Sequence, residues 1–172
     1  MNRLLFTVCA VLTGLSFYAS AEDELTGDTK LACEAILCLS TNTRPTECAP
    51  SIRKFFSIHA SKPWKTIQER KNFLALCPSS KDKGMPEYKD LLANNAEKCS
   101  PDELNRYLFK RKTRKVNNKQ VFYYRISNKL PSYCEVFYNH EYNDSKPRYV
   151  GSDEWVESYL WEKNKGQYGH WK

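Results

Sequence analysis

The sequence lacks the short motifs that identify the commoner catalytic and cofactor sites. It has no Cys-x-x-Cys pair, no spaced set of zinc ligands, no glycine-rich phosphate loop and no Gly-x-Ser-x-Gly turn. These absences argue against thioredoxin-like redox chemistry, a zinc centre, a P-loop nucleotide site and an α/β-hydrolase. The three histidines, His59, His140 and His170, are isolated from one another. We therefore predict no cofactor and no metal site.

The chain also lacks an apolar run of the roughly 20 residues that a membrane-spanning helix needs. Its longest apolar segment is at the N-terminus. Arg3 precedes a mostly apolar segment, residues 4–17, and Ala19-Ser20-Ala21 is a small-x-small cleavage site. This pattern predicts a cleavable signal peptide, residues 1–21, and a soluble, exported product. The alternative is an uncleaved membrane anchor, for which the apolar segment is too short.

The number and position of the cysteines are the clearest indication of the cellular compartment of the protein. Cys9 lies in the predicted leader, and six cysteines follow the cleavage site: Cys33, Cys38, Cys48, Cys77, Cys99 and Cys134. An even number of exported cysteines is typical of a disulfide framework. We therefore predict an exported protein stabilised by disulfides, and a thiol catalyst is disfavoured.

The spacing of the first cysteines limits how they pair. Cys33 and Cys38 are five residues apart on a predicted helix, so their side chains point about 140° apart and should not bond each other. Cys48 follows a proline turn and is the easiest partner for Cys38. We predict the pairs Cys38–Cys48, Cys33–Cys77 and Cys99–Cys134, which is one of the 15 possible pairings of six cysteines.

The residue pattern changes from helical to strand-like along the chain. Up to residue 114 apolar residues recur at helical spacing, and five helical segments are predicted, beginning at Asp28 or Thr29, Pro50, Thr66, Pro86 and Ser100. Thr66 with Glu69, and Ser100 with Glu103, have the spacing of capping boxes. After Lys115 the pattern changes, and β-branched and aromatic residues favour strands in the C-terminal part.

Residues 120–126, 133–138 and 148–150 are rich in β-branched and aromatic residues and are predicted strands, with a short hairpin loop at 127–131. Residues 155–161 fit either a strand or a helix. The predicted class is α+β: an N-terminal disulfide-stapled helical part with a small C-terminal antiparallel sheet. The predicted divisions are 22–115 (helical, disulfide-rich), 116–162 (small, β-rich) and 163–172 (flexible tail).

A cationic run is the sharpest charge feature of a chain whose formal net charge is +7. It consists of Lys110, Arg111, Lys112, Arg114 and Lys115. One interpretation is a solvated helix end, where cations complement the helix dipole. The other is a partner-binding patch for an acidic protein, an anionic lipid surface or DNA. Nearby aromatic residues could stack on bases or build core: Tyr107, Phe109, Phe122, Tyr123 and Tyr124.

Several segments in order resemble the TrbM/KikA family of conjugal transfer proteins. They are residues 25–40 (LTGDTKLACEAILCLS), 44–48, 55–58, 70–74 and 76–78, followed more loosely by 149–151 and 155–157. The resemblance implies a plasmid-encoded periplasmic accessory protein that works with a conjugative type IV secretion system during mating-pair formation. It implies no catalytic residue. Core packing and helix capping by Asp28 account for most of the N-terminal motif without a functional role.

Two functions therefore remain open. The first is a non-enzymatic protein that contacts secretion-system proteins and assists channel or pilus assembly. The alternative is an exported envelope-acting hydrolase or toxin, with Glu34 as the general acid of a muramidase-like site. Glycoside hydrolysis usually needs a second carboxylate at a defined distance, and the sequence nominates none. A surface salt bridge is the competing expectation for Glu34.

Overall fold

The computed structural model describes residues 25–41, 44–164 and 166–172. The predicted signal peptide, including Arg3 and Cys9, lies outside the described residues. Within them, no helix is long and apolar enough to cross a bilayer.

The described chain contains seven α-helices and five short strands. The helices are α1 (Gly27–Leu39), α2 (Ala49–Ser57), α3 (Pro63–Leu74), α4 (Met85–Asn95), α5 (Pro101–Tyr107), α6 (Ser132–Tyr138) and α7 (Ser158–Lys163). The strands are β1 (Phe109–Val116), β2 (Lys119–Ile126), β3 (Tyr149–Val150), β4 (Val156–Glu157) and β5 (His170–Trp171). The α+β class predicted from the sequence is confirmed.

Proline marks the start of several helices, because its fixed φ suits the first turn and its missing N–H would have no helical partner there. At α5 the Ser100 hydroxyl also accepts a hydrogen bond from the Glu103 backbone N–H at 3.4 Å, as its capping box predicts. The box predicted at Thr66 is wrong. Helix α3 begins earlier, at Pro63, and Thr66 Oγ1 instead accepts from the backbone N–H of Ala60 at 2.9 Å.

The core lies among α1 to α6. Helix α1 contributes Ala32, Ala35, Ile36 and Leu39, which recur at helical spacing and are buried. The largest buried side chains outside α1 come from the other five helices of this group, namely Phe55, Leu74, Tyr88, Leu92, Leu104 and Phe137. Burial of each such side chain contributes about 1.5–3 kcal/mol, so the helical part carries most of the hydrophobic stabilisation.

Three disulfides tie this core together. They join Cys33 to Cys77, Cys38 to Cys48 and Cys99 to Cys134, which are the pairs expected from the sequence. The first links α1 to the end of α3, and the last links the α4–α5 connection to α6. Cross-links over 44, 10 and 35 residues restrict the unfolded chain and so stabilise a domain of modest core size.

Residues 133–138 form a helix, and the strand predicted there is wrong. In α6 the residues Cys134, Phe137 and Tyr138 are buried, at the i, i+3, i+4 spacing of one helical face. The aromatic and β-branched composition indicated a strand, but the disulfide and core contacts at that spacing favour a helix. Residues 127–131 consequently connect a strand to a helix and form no hairpin loop.

Two separate antiparallel sheets complete the fold. One has the strand order β1–β2–β4, and the other pairs β3 with β5. The ambiguous segment 155–161 contains both predicted alternatives, since β4 runs directly into α7. The C-terminal residues, predicted as a flexible tail, form β5, and Trp171 is buried. The predicted division between residues 115 and 116 falls inside β1, which begins at Phe109.

Candidate partner-binding surface

A two-stranded hairpin carries the predicted basic residues. Strands β1 and β2 pair without interruption from Phe109 opposite Ile126 to Val116 opposite Lys119. Asn117 and Asn118 connect them with φ of 49° and 63°. Positive φ at both positions is typical of a type I′ turn, and asparagine tolerates that region better than most residues. We call residues 109–126 the basic hairpin.

The predicted basic residues lie in β1 and not at a helix end, because α5 already ends at Tyr107. Successive side chains of a strand alternate between its faces. Lys110, Lys112 and Arg114 therefore share one face of the hairpin, whereas Arg111 and Lys115 lie on the other. All of them are exposed except Lys112, which is half-buried. The helix-dipole interpretation of this run is thus wrong.

On the face that carries Lys110, Lys112 and Arg114, an indole ring contacts two cations. Lys112 Nζ lies 4.1 Å from the centroid of the Trp155 ring, and the Arg125 guanidinium carbon lies 4.8 Å from it. Tyr123 of β2 lies opposite Lys112, and Lys112 Nζ and Arg114 Cζ are 5.7 Å and 5.8 Å from the centroid of its ring. Cation–π attraction of this kind fixes cations in place without neutralising their charge.

The acidic groups near this face lie on the side of β2 and β4. Asp153 Oδ2 is 3.9 Å from Arg125 Nη1, and Tyr123 donates a hydrogen bond to Glu157 Oε1 at 3.3 Å. Desolvation, with the neighbouring charges of Arg114 and Arg125, lowers the pKa of Lys112. Both the reduced hydration of the ammonium group and the neighbouring positive charges disfavour the charged form of Lys112.

The second face of the hairpin is anchored by aromatic packing. Phe109 lies 5.2 Å from Tyr124 and 5.9 Å from Trp161 between ring centroids, and Trp161 stacks on Tyr168 at 5.6 Å. These contacts attach α7 and the C-terminal segment to the sheet. Of the aromatic residues considered for base stacking, Tyr124 and the 39% exposed Phe109 therefore pack against Trp161, whereas Tyr107 is 65% exposed.

A separate positively charged concavity of about 480 Å³ lies beside the C-terminal end of α1. This concavity could not be predicted from the sequence, because its residues come from distant segments that only the tertiary structure brings together. No carboxylate side chain of the described residues lines it. Its lining includes four cations and three apolar side chains: Arg44, Lys146, Arg148, Lys172, Leu39, Ala96 and Phe137.

The polar turn before α1 has a structural role. Thr26, rather than the predicted Asp28 or Thr29, is the N-cap residue of the helix. Asp28 lies in the first turn, where a carboxylate complements the helix dipole, and its Oδ2 is 3.1 Å from Lys54 Nζ on α2. The pair joins two helices at an exposed position.

Glu34 is half-buried on α1, and none of the ion pairs between described residues includes it, contrary to the surface salt bridge expected for it. The histidines remain apart. His140 stacks on Tyr88 at 4.6 Å, and His170 Nδ1 contacts the Tyr168 carbonyl at 2.8 Å. In the described ranges no cluster of three or more histidine, cysteine or acidic residues could hold a metal ion.

The TrbM family model matches residues 24–169, which is most of the chain. No curated protein and no solved structure is similar enough to the chain to count as a match. The match includes the helical core with its three disulfides and the whole basic hairpin.

Proposed function

The chain belongs to the TrbM family of conjugal transfer proteins, and we propose that it is a periplasmic accessory protein of a plasmid conjugative type IV secretion system. In this proposal it acts through protein contacts during mating-pair formation, in channel or pilus assembly. The family match over residues 24–169 is the observation that carries the proposal.

The cysteine chemistry supports the periplasmic location. The six cysteines after the predicted leader form three disulfides, and disulfides form and persist in oxidising compartments such as the bacterial periplasm. Residues 1–21 have the charge, apolar segment and cleavage site of a signal peptide. N-terminal sequencing of the exported protein tests this directly, and we expect the mature chain to begin at Glu22.

We propose that the protein contributes no catalysis of its own. Every described cysteine is in a disulfide, so none of them supplies a thiolate nucleophile. An envelope-acting hydrolase that uses Glu34 is the alternative. Purified protein incubated with peptidoglycan should release no muropeptides. Release that is lost in Glu34→Gln would favour the alternative.

Deletion of the gene should lower plasmid transfer while DNA processing at the transfer origin stays intact, because assembly and processing are separate steps. Complementation with the wild-type gene should restore transfer. Unchanged transfer across several mating conditions would contradict the proposal.

In-cell crosslinking and pull-down from cells with the full transfer region identifies the partner. We expect secretion-channel or pilus subunits. Recovery of peptidoglycan alone would favour the hydrolase alternative instead.

A further inference from the structure

The outer edge of β1 is open. In the three-stranded sheet β1 is at one end of the order β1–β2–β4, and no other strand of the described chain pairs with its second edge. Eight residues, Phe109–Val116, therefore present a row of backbone N–H and C=O groups to solvent along about 26 Å. Such an edge is long enough to accept a further strand.

The charge along this edge has no counter-charge within the described chain. Five of its eight side chains are cationic, and none of the ion pairs between described residues includes one of them. Asp153 and Glu157, the nearest acids on the sheet, interact with Arg125 and Tyr123 of β2. The positive charge is therefore uncompensated specifically at the open edge.

The cations lie on both faces of the sheet, which distinguishes between possible ligands. Lys110 and Arg114 project from one face, and Arg111 and Lys115 from the other, following the β1–β2 register. A strand that adds to the edge places its own side chains alternately above and below the sheet. Acidic side chains at both sets of positions would therefore meet cations.

We propose that the open edge of β1 binds an extended, acidic segment of a partner protein, which adds to the sheet as a fourth strand. Backbone hydrogen bonds would provide the pairing, and the β1 cations would select acidic side chains. Like charges on two β1 edges repel, so the same lysines and arginines oppose pairing between copies of this chain. This inference rests on the proposed function and specifies the chemistry of its protein partner.

Two other ligand classes fit the surface less well. A flat anionic membrane would meet the cations of one face only. Lys112 and Arg125 cover the Trp155 ring at 4.1 Å and 4.8 Å. A single-stranded nucleic acid could stack on the exposed rings of Tyr107 and Phe122, but stacking would leave the backbone edge of β1 unused. Strand addition is the binding mode that uses both faces and the backbone edge together.

The test uses the mature protein and a synthetic ten-residue peptide in which pairs of glutamates alternate with pairs of valines, so that the extended peptide carries glutamates on both faces. Amide hydrogen exchange followed by NMR should show that binding protects alternate amides of β1, because only every second N–H of an edge strand points outward. Affinity should fall as salt is raised. A peptide with lysine in place of glutamate should not bind.

A triple variant removes charge from the edge while it keeps polar, flexible side chains there: Lys110→Gln, Arg114→Gln and Lys115→Gln. It should bind the acidic peptide about tenfold more weakly, because three exposed ion pairs that each contribute modestly to binding are lost. The matched control removes three exposed lysines outside the hairpin, with Lys81→Gln, Lys83→Gln and Lys129→Gln, and should bind like the wild type. Unfolding curves of both variants verify that they fold.

Three results would overturn the inference. They are binding of the acidic peptide without protection of β1 amides, equal weakening in the two triple variants, and tighter binding to oligo(dT) or to phosphatidylglycerol vesicles than to the peptide. The mating assay separates this inference from the proposed function. If the edge variant restores transfer to a deletion strain as fully as the control variant, the edge inference fails alone. If the deletion itself has no effect on transfer, the proposed function fails.

Discussion

Arg70 Nη1 donates a hydrogen bond to Glu97 Oε2 at 2.6 Å, and this bond connects a buried guanidinium on α3 to a carboxylate just beyond α4. The Arg70 side chain is 4% exposed and that of Glu97 is 49% exposed. Arg70 lies over Phe55 and Phe56, with Cζ 5.0 Å and 5.6 Å from the ring centroids. Its Nε and Nη2 atoms have no hydrogen-bond partner among the described residues. The buried charge therefore depends on one carboxylate and two aromatic faces.

We expect Glu97→Gln to lower the free energy of unfolding by about 1.5–3 kcal/mol. The amide retains an oxygen that can accept the hydrogen bond, but the buried guanidinium loses its counter-charge. Urea denaturation of the purified variant measures the loss as a lower midpoint with an unchanged slope.

Arg106 and Glu103 provide the matched control. Their shortest contact is 2.5 Å, but the Arg106 side chain is 76% exposed. Glu103→Gln should cost less than about 1 kcal/mol, because water already solvates both charges. Equal losses in the Glu97 and Glu103 variants would contradict the role assigned to burial.

The disulfides should contribute to stability according to the length of chain they enclose. Replacing Cys33 and Cys77 with alanine opens a 44-residue loop, whereas replacing Cys38 and Cys48 opens a 10-residue loop. The loop-entropy relation gives losses of about 4 and about 3 kcal/mol, respectively. Denaturation of the two double variants tests this order, and the reverse order would contradict it.

The helical core and the cysteine framework could be predicted from the sequence, because both depend on local periodicity. Ala32, Ala35 and Leu39 recur at helical spacing, and Cys33 and Cys38 cannot meet on one helix. Segment 133–138 could not be predicted, because its strand propensity is outweighed by the tertiary contacts of Cys134 and Phe137. Local periodicity thus predicted α1 correctly, whereas local propensity failed at residues 133–138, where contacts with distant residues determine the secondary structure.

Two buried tyrosines should make the protein sensitive to alkali. Tyr88 donates to Ser40 Oγ at 2.6 Å, and Tyr138 donates to the Cys99 carbonyl. Burial raises the pKa of Tyr88 and of Tyr138 to about 12. Because the folded pKa exceeds the unfolded value of about 10, stability is fully present below pH 10 and is lost as the pH rises toward 12.

Each of these tyrosines should reduce the free energy of unfolding by up to about 1.4 kcal/mol per pH unit in that range. Denaturation midpoints measured at several pH values from 9 to 11.5 give the slope. Tyr138→Phe should make the slope shallower. Tyr159→Phe, at a side chain 62% exposed, should leave it as in the wild type. A slope that Tyr138→Phe does not change would refute the assignment.

The first strand of the basic hairpin escaped prediction from sequence because it has no apolar alternation, whereas β2 was predicted at residues 120–126. Lys110, Arg111 and Lys112 contribute cations to both faces, so the periodicity that identifies a half-buried strand is missing. The signal that was present is Asn117-Asn118, whose positive φ values suit a two-residue turn. Only pairing with the more recognisable β2 makes the run a strand.

That turn can be tested on its own. Asn118→Val should destabilise the hairpin by about 1–2 kcal/mol, since a β-branched residue at positive φ is strained. Asn118→Gly should retain it, because glycine adopts positive φ without strain. Amide exchange of β1 and β2 is the measurement. Equal protection in both variants would show that the turn conformation does not matter for pairing.

The C-terminal segment should contribute strongly to stability although it is short. Trp171 is 6% exposed, and its indole N–H donates to the Ser127 carbonyl at 3.0 Å. Its backbone N–H donates to Asn105 Oδ1 at 2.7 Å, and Asn105 Nδ2 donates to the Trp171 carbonyl at 2.9 Å. This pair of bonds attaches β5 to α5, and the indole packs in the hydrophobic core.

We therefore expect Trp171→Ala to cost about 3–5 kcal/mol, the range for loss of a large aromatic side chain from a core. Lys172→Ala, at the exposed neighbouring residue, should change stability by less than about 0.5 kcal/mol. Both variants retain the backbone hydrogen bonds of the segment, so the difference between them measures the burial of the indole. If Trp171→Ala unfolds at the same urea concentration as Lys172→Ala, the C-terminal segment is loosely attached in solution, as its polar composition alone would suggest.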